Sequence, residues 1–467
     1  MPDLDTTPSH HRLAPVFHFV DLFPLSVSSV GPVFSVAATG GVMAAYAGWW
    51  AIPAIGVLAA PFVVASFVFR LLNRHFPHAG ASYHWSARIL GRTFSRYQAW
   101  ILILAYFLSI PPIAIPAGSY TLALLDPGHT PSNVALVATT LAWIIFAAVP
   151  LLLGARPTAQ ITKVFMVIEM VSLAAIAVVG IARFNATHVP IHFGPPPVGG
   201  MLIVAVIAAT VLDGWEIDSY AAEESRRPRT DPGMSGIIGA FLALLFYAIL
   251  YPLIYAETPM RLLASANDSD PIALWAQRVL PTALHWTVLI PILGSTAGGL
   301  WLTTYILTRA LYAMGRENLI PASFGRTSSR RVPHVATVVV LGLTLIVVAL
   351  QTFVSSLSSF FGLVLSAAGF FLLAEFFSDT VTAIVFLVRA HRSGEDHQHP
   401  VLLGLAILSA LLMAGLMVAF FIFGPKAIGN GIDQVVAALL ALGVLFVVAT
   451  RRRALRFVAF VPEGADD

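Results

Sequence analysis

Apolar runs of near 20 residues recur about a dozen times along this 467-residue chain, and no other feature constrains its fold as much. Each run is long enough to cross the hydrocarbon of a bilayer as a helix. Only 10% of the residues are charged against 58% hydrophobic, too little charge to cover the surface of a water-soluble chain of this length. The runs fall at 16–46, 48–72, 94–125, 133–153, 161–182 and 200–222, then at 235–256, 284–314, 333–351, 358–388, 401–423 and 434–450. The pattern predicts an all-α polytopic membrane protein of about 12 transmembrane helices. The tenth run is the odd one, because it carries Glu375 and Asp379.

Charge gives the direction of threading. If 1–15 is a cytoplasmic tail, the segments on that side of the alternation hold 22 Lys and Arg, and the other side holds 4. Such a split fits the bias of basic residues toward the cytoplasm and predicts both tails (1–15 and 451–467) inside, in the plasma membrane. The sequence pI near 9.3 reflects these loops and does not point to nucleic acid. Cysteine is absent, which excludes disulfides, thiol catalysis and Cys-based metal sites. The N-terminal tail has acids before its one Arg, and no small-residue cleavage site follows the first apolar run, so that run reads as a retained helix.

Two runs are interrupted. In 203–232 a lipid-grade segment meets Leu212-Asp213-Gly214-Trp215-Glu216-Ile217-Asp218. Each of these carboxylates would cost roughly 2.5–3.5 kcal/mol at the centre of a spanning helix, so a helix broken at Gly214 is expected. The first run contains Ser26-Val27-Ser28-Ser29-Val30-Gly31-Pro32, where the proline removes a donor and the glycine permits a sharp turn. A proline-kinked helix is the plainer reading of that run alone. The two breaks, however, lie five helices apart, and paired interruptions point to an inverted-repeat transporter and its binding site.

The ordered segments carry a resemblance. Pro77-His78-Ala79-Gly80-Ala81-Ser82-Tyr83 leading to Leu90-Gly91-Arg92, the stretch Asp213-Gly214-Trp215-Glu216 with Glu223-Glu224 and Arg227-Pro228-Arg229, and Arg309-Ala310-Leu311-Tyr312-Ala313-Met314 followed by Arg316-Glu317-Asn318-Leu319-Ile320-Pro321 stand in order along the chain. Together they resemble the amino acid–polyamine–organocation permeases over most of its length. The resemblance implies the leucine-transporter-type fold: a first five-helix repeat over 16–182, its inverted copy over 200–388, broken helices one and six, and two further helices over 401–450. The chain departs from that family at two places. Where many members carry a Gly-x-Gly signature, it reads Ser28-Ser29-Val30-Gly31-Pro32, and Pro32 offers no N–H to a substrate carboxylate. The place of a fifth-helix Lys, implied to stand in for a sodium ion, is taken by Glu169.

These residues define an expected site. Half-helix ends offer N–H groups to a carboxylate and carbonyls to an ammonium, which nominates Ser28, Ser29 and Gly31 with Leu212, Asp213 and Gly214 as its lining. Trp215 reads as a lid over an apolar or cationic ligand, or as a headgroup-belt residue. Asp213, Glu216 and Asp218 lie too close for all three to be charged in a dry site. One of them, Glu216 first, is expected to hold a proton, either for coupling or to pin the broken helix; Asp218 reads as a structural partner. Glu169 is mid-membrane and therefore a coupling candidate. Thr303 and Thr304 could serve sodium or simply pack. The loop arginines Arg88, Arg92, Arg316, Arg330 and Arg331 read as topology charges, the sharper alternative being a gate joining Glu223 or Glu224 to Arg96 or Arg309. The fourteen histidines fall in loops or near helix ends and suggest no relay.

No Walker motif, nucleophile elbow or metal-ligand cluster is evident, so neither direct use of ATP nor enzyme chemistry is expected. The expected function is a permease that imports an amino acid or small organic amine, coupled to a proton and needing no cofactor. Its partners are that small molecule and the lipid bilayer. Sodium coupling, exchange, and a ligand sensor that does not transport are the alternatives.

Overall fold

The computed structural model describes residues 3–4, 12–127, 129, 131–265, 270–350, 357–393, 399–429, 431–456 and 458–459. Almost all of them are helical. Helices α1 (Phe19–Val30) and α2 (Pro32–Ala47) are two halves of one interrupted helix, and a tight turn at Gly48–Trp50 reverses the chain into α3 (Ala51–His75). The short α4 (Ala81–Ile89) precedes the long α5 (Arg92–Leu125), then α6 (Asn133–Leu153) and α7 (Ala155–Thr187). The second interrupted helix comprises α8 (Val198–Ile207), α9 (Ala209–Leu212) and α10 (Ile217–Tyr220), ending in a 3-10 turn at Ala222–Glu224. Helix α11 (Asp231–Glu257) leads through α12 (Met260–Leu263) and α13 (Pro271–Val279) to α14 (Leu289–Arg316). Last come α15 (His334–Leu350), α16 (Leu357–Ser393), α17 (Pro400–Ala427) and α18 (Ile432–Thr450). A parallel pair of two-residue strands, β1 (Asp3–Leu4) and β2 (Val458–Ala459), joins the two tails.

Nine helical stretches among the described residues are long and apolar enough to cross a membrane. The first, Phe19–His75, is folded into α1, α2 and α3, and two shorter apolar stretches, Val198–Leu212 and His334–Leu350, accompany the nine. Helix α14 lies at the centre, buried from Pro291 to Gly315 apart from Leu293. Helices α7 and α17 stand at the periphery, where Val171, Val178, Leu408, Leu411 and Val418 are each more than 60% exposed. So much exposed aliphatic surface is stable only against lipid.

Some helix ends depart from the apolar runs, whereas α6 coincides with the fourth, 133–153. The fifth run, 161–182, lies inside the longer α7, because polar residues such as Arg156 and Gln160 propagate a helix as readily as apolar ones. Gly154 (φ 128°) sets its start. The eighth run, 284–314, begins instead as a 3-10 turn at Thr282–Val288. The last residue of the ninth run, Gln351, lies outside the described residues.

Candidate functional site between the two interrupted helices

Gly31 makes the first interruption. At φ 56° and ψ 57° it occupies the left-handed region that glycine enters without strain. Pro32 then opens α2 at a position where its missing N–H is no loss. The first N–H groups of α2 that need a partner are those of Val33 and Phe34. Val33 donates to Glu169 Oε1 at 3.2 Å, and Phe34 donates to Ser295 Oγ at 3.0 Å. Ser295 in turn donates its hydroxyl proton to Glu169. Glu169, 1% exposed on α7, is thus an N-cap supplied from another helix, a carboxylate at the positive end of α2.

The second interruption runs from Asp213, extended at φ −83° and ψ 175°, through Gly214 at φ 107° to Glu216. At membrane depth the freed backbone groups need partners from the protein. Gly214 N donates to Glu216 Oε2 (2.7 Å) and Trp215 Nε1 to the Leu212 carbonyl (2.9 Å). Tyr247 OH reaches the Val211 carbonyl (2.9 Å), and Ser26 Oγ the Trp215 carbonyl (2.8 Å). The Ser26 bond ties one break directly to the other. Gly214 closes the contact, since a Cβ there would stand 2.6 Å from the carbonyl carbon and oxygen of Ser29.

A cavity opens beside this junction. Among the described residues, Asp213 is the one ionisable side chain on its wall; the hydroxyls of Ser29, Ser35, Thr39, Ser109, Thr210 and Thr303 supply the other polar side chains, and Phe34, Ile113 and Leu365 the apolar part. Its volume of about 30 Å³ holds a water or two and no more. Of the expected lining, Ser29, Gly31 and Asp213 face the cavity and Gly214 does not; Thr303, expected as a sodium candidate, also faces it. Ser28 does not, although its hydroxyl and that of Ser29 are buried without a hydrogen-bond partner among the described residues. Thr304 bonds back to the Leu300 carbonyl of its own helix. Leu212 and Trp215 turn away, toward α3 and α11. Trp215 is therefore not placed as a lid: its ring packs edge-on against Phe69 (5.2 Å) and tilted against Phe376 (5.6 Å), because its indole N–H is committed to the Leu212 carbonyl. Asp218 accepts from Ser235 on α11, away from the cavity.

Sequence reasoning missed Ser35, Thr39, Ser109, Thr210 and Ser295. A serine directly before Ile110-Pro111-Pro112, in the middle of an apolar run, was the one signal available.

The arginine-rich face of the bundle is sealed by buried ion pairs. Arg309 grips Glu224 with Nε and Nη2, each at 3.1 Å, while Tyr305 also donates to Glu224 and lies under the guanidinium (3.6 Å). Arg316 pairs with Glu223, which also accepts from Ala79 N at 3.0 Å. The expected pairing of Glu224 with Arg309 is present. Arg96 instead donates to the carbonyls of Arg92 and Arg453, and Arg316 is buried rather than a headgroup charge, because the loop at 78–80 and the 3-10 turn carrying Glu223 close over it. His78 and His84 stack with centroids 3.8 Å apart beside Glu317. Arg316 and Arg88 already approach their ring nitrogens at 2.8 and 3.3 Å, so this is an ion-pair network in which a metal cation would face two guanidinium groups.

Apolar helices of spanning length, two of them interrupted back to back around a small polar cavity, define a membrane transporter fold. The comparisons agree with that class. The chain matches a model of the amino acid permease family over residues 17–448, and it belongs to that family. It is 23% identical to a branched-chain amino acid permease of Lactococcus lactis subsp. cremoris over 307 residues, 60% of this chain and 63% of that one. It is 24% identical to an L-methionine/branched-chain amino acid exporter of Escherichia coli over 343 residues, 70% and 77% of the two chains. The alignment with the Lactococcus permease thus spans under two thirds of that relative's length. In fold it is similar to a manganese transporter mutant of Eremococcus coleocola, with a TM-score of 0.53, 12% identity, and coverage of 96% of this chain and 98% of that one.

Proposed function

We propose that this protein is a proton-coupled secondary transporter of an amino acid with an apolar side chain, or of a small organic amine, working by alternating access. One observation carries the reading: the N-terminal end of α2, where a substrate carboxylate would dock, is already held by the protein's own carboxylate, Glu169. A substrate carboxylate and ionised Glu169 compete for the same N–H groups. Protonated Glu169 gives up that claim, so the site takes one proton with each carboxylate it admits. The charge at the helix end is then the same whether Glu169 or the substrate supplies it.

Asp213 and the carbonyl ends of α1 and α9 suit the ammonium group, and Phe34, Ile113 and Leu365 suit an apolar side chain. A cavity of about 30 Å³ must widen severalfold to admit such a molecule, which calls for the helices around it to part. In this reading the arginine-rich face is cytoplasmic, the helices number twelve in a five-plus-five inverted repeat with two added, and the membrane is the plasma membrane.

Purified protein in proteoliposomes tests it. With an acidic exterior, labelled L-leucine or phenethylamine should accumulate against its gradient without sodium. The Glu169→Gln variant should still exchange substrate but no longer accumulate it in response to the pH gradient. Accumulation that follows sodium alone, or binding without uptake, would refute the reading.

A further inference from the structure

A second group of buried acids lies outside the cavity. Glu216 Oε1 accepts from Tyr106 OH on α5 at 3.0 Å, and the same hydroxyl is 3.3 Å from Glu375 Oε1 on α16. Tyr220 OH, on α10, reaches Glu375 Oε1 at 2.6 Å and Ser82 Oγ, on α4, at 3.0 Å. Ser82 Oγ lies 3.1 Å from Glu375 Oε1 and 2.7 Å from Asp379 Oδ2. The acids are no more than 1% exposed, and among the described residues none forms an ion pair with Lys, Arg or His. Two further titratable groups act on them: Asp213 on the cavity wall, whose charge acts on both Tyr106 and Glu216, and Asp218, whose charge acts on Glu216.

Proton bookkeeping makes this more than an acidic cluster. Each hydroxyl carries a single proton and can fill a single contact. Tyr106, Tyr220 and Ser82 therefore cannot fill all the short oxygen–oxygen distances between them and the carboxylates. The remaining contacts require protons on the acids themselves. The line also ends in unsatisfied atoms. Asp379 Oδ1 and Glu375 Oε2 have no hydrogen-bond partner among the described residues. Gln98 is an independent sign: on the same face of α5 as Tyr106, two turns nearer the arginine-rich end, it is 1% exposed, with neither amide atom partnered among the described residues. Buried polar atoms left open in this way are where water enters a protein interior.

We propose that Glu216, Tyr106, Glu375, Tyr220, Ser82 and Asp379 form a proton ladder from the break at Gly214 to the arginine-rich face, and that Gln98 marks its wet end. A proton arriving at Glu216 moves on by concerted hops. Tyr106 gives its proton to Glu375 as it receives one from Glu216, and Ser82 passes one to Asp379 as it receives one from Glu375, either directly or through Tyr220, which takes a proton from Glu375 as it gives its own to Ser82. Each hydroxyl ends as it began, and one proton has crossed. The inference rests on the proton-coupled reading above and adds a route to it.

The test uses full-length protein in proteoliposomes with a pH dye inside and L-leucine as probe. In the wild type, leucine entry should acidify the lumen; if it does not, the proton-coupled reading falls and the ladder with it. Tyr106→Phe removes one oxygen from the line and should cut leucine-driven acidification at least tenfold. Leucine counterflow, which moves no net proton, should fall less than threefold. Glu375→Gln should behave likewise, and Glu375→Asp should recover part of the acidification. Wild-type acidification retained by both Tyr106→Phe and Glu375→Gln would overturn the ladder and leave the proposed function standing. Should either variant fail to fold, infrared spectra of the wild type in H₂O and D₂O decide the point. A carboxylic acid band that shifts slowly in D₂O supports the ladder, and its absence overturns it.

Discussion

Gly214 faces the Ser29–Val30 peptide so closely that a Cβ at Gly214 would stand 2.6 Å from the Ser29 carbonyl and 2.7 Å from the Val30 nitrogen. Two backbones meet there with no side chain between them, and the positive φ of Gly214 adds a second reason for glycine. Gly214→Ala is thus expected to cost on the order of 3 kcal/mol and to reduce transport by at least tenfold. Gly31 differs: its nearest neighbour to an added Cβ is Ser295 Oγ at 3.4 Å, so Gly31→Ala carries mainly the left-handed strain, roughly 1–2 kcal/mol. Melting temperature and uptake of the two variants, measured side by side, should rank Gly214→Ala as the more damaging. Equal losses would show that backbone contact between the breaks is not what the glycines protect.

Both breaks were legible because their signals are local: a Gly-Pro pair in one run, three acids around a glycine in the other. Glu169 was legible only as an acid at membrane depth. That it caps α2 depends on a contact 136 residues away, which no spacing announces. Trp215 shows the reverse. Its bond to Leu212 is local, but which way the ring then points is decided by Phe69 and Phe376. Glu375 and Asp379 stood out as acids in a greasy run, whereas the tyrosines that link them to Glu216 look like ordinary aromatic core.

Ser295 holds Glu169 in place and satisfies Phe34 N–H at once. Removing its hydroxyl weakens the carboxylate's hold on α2 by about 1 kcal/mol, a factor of about five in competition. For Ser295→Ala, L-leucine should therefore bind severalfold more tightly at pH 8, where Glu169 competes best, and with little change at pH 5.5. Calorimetric titration at the two pH values checks this. A uniform loss of affinity would mean that Ser295 contacts the substrate itself.

Arg309 and Glu224 are 1% and 0% exposed, and Phe17 N donates to the Glu224 carbonyl, so the pair also anchors the segment entering α1. Removing one partner strands the other charge in a dry site, at roughly 3–5 kcal/mol. Arg309→Met should lower the melting temperature by several degrees, and Glu224→Gln combined with Arg309→Met should restore part of it, since the stranded carboxylate is then gone. A double variant no more stable than Arg309→Met would place the loss in packing against Tyr305 instead of in charge.

Asp270 offers a pH signature on the opposite face of the bundle. Its carboxyl caps α13 by accepting from Ile272 N (2.8 Å) and Ala273 N (3.1 Å), and burial pushes its pKa from 3.8 up to about 6 despite those bonds and the one from Tyr120. A carboxyl that holds its proton more tightly in the folded chain than in the unfolded one favours folding most below pH 4. That contribution is lost as pH rises from about 4 to about 6 and stays lost above it. Asp270→Asn keeps a capping oxygen but cannot ionise, so relative to this variant the wild type should lose stability between pH 4 and pH 7. The expected change is on the order of 1–2 kcal/mol once partial exposure and solvent screening are allowed for. Thermal melts of both proteins across that range give the slope. A wild type that gains on the variant as pH rises would mean that the cap, not burial, controls this carboxyl.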